Sequence, residues 1–242
     1  MNKSIKLAMI AMAVGIATNA LASSDVSRDR YWSPLGIGIA APAQFPCTDW
    51  DVYGIRVGGL FGNNHNVYGI DCGLAEISTG DFAGIQAAAL TWTTGDAAGI
   101  QLGAFANAVN GSLVALQVGA VNVVNGAAGG LQFGVINRNA AFTGLQVGGL
   151  VNWNDTGSIG LAIAPFNMNY DEFSGWQFAS IVNYSNKFVG FQCAPINVSS
   201  EVTGYQLGII NACNNLHGVQ VGLLNLVCNS KLPIMVIANA SF

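Results

Sequence analysis

The side chains able to do chemistry in this chain are few and far apart. The two histidines, His65 and His217, have no Cys or carboxylate at ligand spacing, so solvated loop or strand-end positions suit them better than a metal centre. Five cysteines, Cys47, Cys72, Cys193, Cys213 and Cys228, contain no Cys-x-x-Cys pair and are odd in number, which allows at most two bridges and excludes a disulfide-dense scaffold. Serines lie in turns without a His to activate them. Asp81, Asp96, Asp171, Glu172 and Glu201 are distributed over turns, not set as an acid and base pair. The run Gly126-Ala127-Ala128-Gly129-Gly130 precedes a strand pattern, whereas a dinucleotide fingerprint needs a helix there. A calcium array would need Asp in every turn, and only some turns have one. The expectation is a non-enzymatic protein with no cofactor and no metal.

What does recur is an amide. Gln86, Gln101, Gln117, Gln132, Gln146, Gln177, Gln192, Gln206 and Gln220 each stand two residues after a glycine or, once, after Ala115. The same place holds Arg56, Asp71 and Ala162 in three further copies. Arg56 and Asp71 are in consecutive copies, so neighbouring strands would set them side by side as a charge pair, a contact of roughly 0.2–1 kcal/mol. A belt of amides offers hydrogen bonding and no catalysis.

These amides are carried by twelve copies of a unit with a period near 15 residues, starting at Gly54, Gly69, Gly84, Gly99, Ala115, Gly130, Gly144, Gly160, Gly175, Gly190, Gly204 and Gly218. The clearest copies, 130–137 and 204–211, read Gly, apolar, Gln, apolar, small, apolar, apolar, Asn. Side chains alternate with period two, so each unit is read as a strand of about nine residues followed by about six of connection. One face is apolar (Ile55, Val57, Ile100, Leu102, Trp176, Phe178) and the other carries Gly, Gln and a small residue. Asn and Gly in Asn110-Gly111 and Asn125-Gly126 supply the backbone angles of tight turns.

The domain plan that follows is a leader over 1–22 and one repeat-built β domain over 23–242, comprising an opening strand in 32–46, the repeats over 54–229 and a closing strand in 232–242. Twelve strands and two flanking ones make about fourteen, an even number. The favoured fold class is therefore all-β: an antiparallel meander closed as a β-barrel, with apolar residues facing lipid and Gln and Gly facing a lumen. Closure would pair Leu35 to Ala40 with Ile234 to Ala240, and Phe242 would be the aromatic end of the closing strand. Phe105, Ile136, Leu150, Phe166 and Leu224 fall on the inward face in this reading, which sits poorly with a polar lumen. The alternative is a parallel β-solenoid with 15-residue coils, whose corners would stack the Asn that ends almost every unit. Cys213 and Cys228 discriminate: a meander puts them at opposite strand ends, and a solenoid stacks them at about 4.8 Å, within disulfide reach.

Lys3 and Lys6, the apolar run from Leu7 to Ala17 and Ala20-Leu21-Ala22 before Ser23 have the order of a secretory signal, so export is expected. The segment carries two of the eight basic residues and none of the twelve acidic ones, leaving a formal charge of about −6, which disfavours nucleic acid as a partner. Only 8% of residues are charged and 52% are apolar, so lipid, another copy of the chain or an unusually flat surface must account for part of the exterior.

Through the units over Val52 to Asn225, the Asp51-Val52-Tyr53-Gly54-Ile55-Arg56 start and the Leu232-Pro233 closing strand, the chain resembles bacterial surface repeat-containing proteins built from Gly-Leu-Gln-x-Gly-x-x-Asn units. The departures are 160–167, without Gln, and 84–91, without Asn. The resemblance implies an outer-membrane or cell-surface location in a Gram-negative bacterium and carries no catalytic residue. The functional expectation is an outer-membrane barrel, structural or a passive pore, in contact with membrane lipid; the alternative is an extracellular β-solenoid acting as an adhesin or binding module.

Overall fold

The computed structural model describes residues 30–241, among which there is no helix. The leader over 1–22 and the terminal Phe242 lie outside the described residues. Twelve strands follow one another: β1 (Trp32–Ala40), β2 (Ala43–Phe45), β3 (Asp51–Asn64), β4 (Val67–Cys72), β5 (Ala75–Ser78), β6 (Phe82–Thr93), β7 (Ala97–Val109), β8 (Leu113–Asn154), β9 (Ser158–Cys193), β10 (Ile196–Leu207), β11 (Ile210–Val227) and β12 (Ile234–Ser241). Their order runs from β2 and β1 at one end to β12 at the other, with β5 between β3 and β6. From β1 to β11 neighbouring strands are parallel, and only the end pairs β1/β2 and β11/β12 are antiparallel.

The molecule is thus a parallel β-solenoid of about thirteen turns, and the barrel expectation is corrected. Leu35 to Ala40 pairs with β3 and Ile234 to Ala240 with β11, at opposite ends of an open array, so no closure occurs. The second half of each unit, read from sequence as a connection, is a second strand segment. The chain bends after the small residue four places past the motif glycine, and the in-out alternation restarts there. Phe105 and Leu150 are consequently exposed and Ile136, Phe166 and Leu224 are half-buried on the outer side, while the Asn that follows points inward.

Parallel stacking in register explains the repeat. Gly204 lies beside Gly218, Gln206 beside Gln220 and Asn197 beside Asn211, so each residue type meets its own kind one coil on. The motif glycine is required by backbone geometry: φ is positive at eleven of them, and a Cβ at Gly144 would stand 2.1 Å from the Gly130 carbonyl oxygen. Ala115 is the one non-glycine in that column.

Two places before each of these positions an apolar side chain turns inward: Val52, Val67, Phe82, Ala97, Leu113, Ala128, Phe142, then Phe173, Phe188, Val202 and Leu216. The column is interrupted once, by Ser158, whose Oγ accepts from Phe142 N at 3.0 Å, and the apolar core divides into two clusters on either side of it.

Candidate functional site: an amide interior beneath an apolar surface

All nine predicted glutamines are buried and are brought together. Gln101 Nε2 donates to Gln86 Oε1 at 3.2 Å, Gln117 to Gln101 at 3.1 Å, Gln132 to Gln117 at 2.8 Å and Gln146 to Gln132 at 2.9 Å. A second run links Gln220 to Gln206, Gln206 to Gln192 and Gln192 to Gln177 at 2.7–2.8 Å. Every donor points toward the N-terminal end. The first run ends on a charge: Gln86 Nε2 donates to Asp71 Oδ2 at 2.8 Å, and Arg56 grips Asp71 through Nε–Oδ1 at 2.7 Å and Nη2–Oδ2 at 2.6 Å. A carboxylate accepts without needing to donate, so it terminates a one-directional amide chain with no donor left over.

The recurrent Asn builds a second ladder, as the solenoid alternative expects of its corners. Asn107, Asn122, Asn137, Asn152, Asn167, Asn183, Asn197, Asn211 and Asn225 form an unbroken chain in which each Nδ2 donates to the next Oδ1 at 2.8–3.0 Å. The same Nδ2 also reaches a main-chain carbonyl one coil on, such as Phe133 O from Asn122 at 2.8 Å. This ladder donates toward the C-terminal end, opposite to the glutamines, so the two rows of amide dipoles oppose each other. Across the interior the glutamines bond to a separate amide column, Gln132 Nε2 donating to Asn139 Oδ1 and Asn154 Nδ2 to Gln146 Oε1, each at 3.1 Å. The space expected to be a lumen is therefore filled by hydrogen-bonded side chains, which removes the basis for a pore.

Ala162 breaks the glutamine ladder and leaves Gln177 Nε2 buried without an acceptor. Ala162→Gln is expected to join the two runs and to raise stability by about 1 kcal/mol, as restoring a partner to a buried donor does. A higher denaturation midpoint for the variant checks this, and an unchanged or lower one refutes it.

Glu76 is a further interior residue that sequence reading passed over; its signal was a carboxylate at the place where later coils carry Thr or Asn. Its side chain is buried, 3.1 Å from Arg56 Nη2 but not aligned for a hydrogen bond, and both carboxyl oxygens lack a donor. Burial pushes its pKa up to about 8, the Arg56 cation pulls it down and the adjacent Asp71 carboxylate adds to the rise. Beside it a cavity of about 10 Å³, lined by Gln44, Arg56, Gly58, Gly62 and Asn64, has room for roughly one water.

The outer surface carries the apolar residues. On the first segment of each coil the residues one and three places after the motif glycine face outward, and Ile55, Leu131, Trp176, Leu207 and Val221 are exposed. On the second face the rings of Trp153, Tyr170 and Tyr184 follow one another at centroid distances of 4.8 and 5.7 Å, tilted by 33° and 54°, beside the Arg138–Asp155 ion pair. Two of the turn acids, Asp81 and Asp96, are brought into one column. Asp51, Asn66, Asp81 and Asp96 form a column in which each Oδ1 accepts the backbone N–H of the next coil, at 2.7–3.1 Å. Among the described residues no three His, Cys, Asp or Glu are grouped as a metal site.

The cysteines are unbridged. Cys213 and Cys228 do sit in adjacent coils, with Cys228 N bonded to Cys213 O at 3.0 Å, but Val227 is the in-register neighbour of Cys213 on the inner side and Cys228 faces out. A one-residue offset thus puts the two sulfurs on opposite sides of the sheet. Burial, with Cys228 nearby, pushes the Cys213 thiol up to about 11, while Gln220 Nε2 at 3.3 Å works the other way. Maleimide is expected to modify the exposed Cys47 and Cys228 at least roughly 100-fold faster than Cys213, because the thiolate is the reactive form. Peptide mapping of briefly labelled native protein checks this, and Cys213 labelled alongside the other two would contradict the buried placement.

Compared with family models, curated proteins and solved structures, the chain matches none.

Proposed function

We propose that this protein is an exported, surface-displayed β-solenoid without catalytic activity, acting as an adhesin or binding module through its outer sheet faces. The observation that carries the reading is the division of side chains. Amides, the Arg56–Asp71 pair and Glu76 are sealed inside, where they serve the fold, and the exterior offers flat rows of apolar and aromatic residues at the coil spacing of about 4.8 Å. Large exposed apolar areas on a folded chain mark interaction surfaces. The signal-like order over 1–22 and the resemblance to surface repeat proteins support export and a bacterial surface as its setting.

The test is display on intact cells. A membrane-impermeant biotin reagent should label the exposed Lys231 side of the protein without lysis, and the protein should leave the membrane fraction in urea or carbonate without detergent. Labelling only after lysis would refute surface display. A strict detergent requirement would return the reading to an integral membrane protein.

A further inference from the structure

We propose that the first sheet face is covered by a second copy of this chain, the two arrays running antiparallel about a two-fold axis that lies along the strands and passes through the coil of Gly130. This deepens the reading above by naming the occupant of one outer face.

The face extends from Leu35 and Ile37 on β1, through the twelve repeats, to Val219 and Val221 on β11. No Asp, Glu, Lys or Arg occupies its outward positions along those rungs. Thirteen rungs at about 4.8 Å and roughly 15 Å of strand give an area of roughly 900 Å². That is about what each partner contributes to a stable interface, and larger than the apolar patch an ordinary monomer exposes.

Three features favour a second copy over lipid. The coil of Gly130 is the middle rung, with six on either side, so rotation about it overlays the whole face upon itself. The rotation sets Phe178 against Ala87, a large side chain against a small one, and the exposed Trp176 against the exposed Ile85, each pair in one outward column. It also brings Cys72 opposite Cys193, since each lies four rungs from the centre in the same outward column. An acidic protein has in addition no electrostatic attraction to anionic lipid. Pairing would leave the second face, with Trp153, Tyr170 and Tyr184, pointing outward on both sides of the dimer, giving it two equivalent binding surfaces.

Sheets packed face to face stand about 10 Å apart, too far for a Cys72–Cys193 disulfide but within reach of a short bis-maleimide. The experiment uses the mature full-length chain. Light scattering or sedimentation should give the dimer mass. Leu131→Glu, next to the axis and exposed, should weaken association by at least roughly 100-fold, because each dimer would bury two unpaired charges. Leu223→Glu, exposed at the corner beyond the face, should leave the dimer intact. In a second arm, variants retaining only Cys72 or only Cys193 are treated with the bis-maleimide, and a cross-linked dimer should form in the mixture and in neither variant alone. A monomeric wild type overturns the proposal while leaving surface display standing. Cross-linking within the Cys72-only protein overturns the antiparallel arrangement, and co-sedimentation of a monomer with phosphatidylcholine vesicles overturns it in favour of lipid.

Discussion

Replacing Asn152 by Leu is expected to destabilise the protein by about 3–5 kcal/mol, because it removes an interior member of the asparagine ladder without changing the outer surface. Asn152 Nδ2 donates to Asn167 Oδ1 and to Ile163 O, each at 3.0 Å, and its Oδ1 accepts from Asn137 at 2.9 Å. Leucine keeps the branched skeleton but strands those partners in a space closed to water, and each buried polar group left unsatisfied costs about 1–3 kcal/mol. Asn225 closes the same ladder and donates only to Gly222 O, so Asn225→Leu should cost about half as much. Val135→Thr, on the exposed face, should change stability by less than about 0.5 kcal/mol. Urea titration of the three variants checks the gradient. Equal losses at Asn152 and Asn225 would mean that the ladder does not act as a connected unit.

The second large effect is on pH. Glu76 titrates near 8 when folded and near its ordinary 4.5 when unfolded, so between those values the folded chain holds the extra proton. Stability from this group is then fully present below about pH 4.5 and is lost as the pH rises through about 8, the reverse of a salt-bridged carboxylate. Arg56 offsets part of the cost of the charged form, so the loss should amount to a few kcal/mol and not the full Born penalty. Glu76→Gln keeps the shape and removes the titration. It should be at least as stable as the wild type at pH 9, and its thermal midpoint should be nearly flat from pH 5 to 9 while that of the wild type falls. Parallel pH profiles for the two proteins would show that Glu76 is charged throughout.

Strand alternation, the apolar outer row and the inward glutamines are all legible in the sequence, because the period-two pattern around each motif glycine is a local property. So is the pairing of Arg56 with Asp71, which needs only that consecutive units be neighbours. The Asn column was legible as a recurrence, and its fit to stacked solenoid corners could be stated, but nothing local says whether the residue after a bend faces in or out. Reading straight through the bend at Gly134 or Gly148 therefore placed Ile136 and Leu150 on the wrong side.

The sequence by itself determined that the protein is all-β and repetitive, with one amide recurring on the inward side of each unit, since these depend on residue type and spacing along one chain. Tertiary structure alone decided between barrel and solenoid. A run of nine residues alternates identically whether its neighbour is antiparallel or parallel. The choice rests on whether the next six residues turn the chain back or carry it around as a second inward-facing segment. Here Asn, Ser, Thr and Val of that segment are buried opposite the glutamines, and only in-register parallel stacking lets each amide donate to its own kind one coil away.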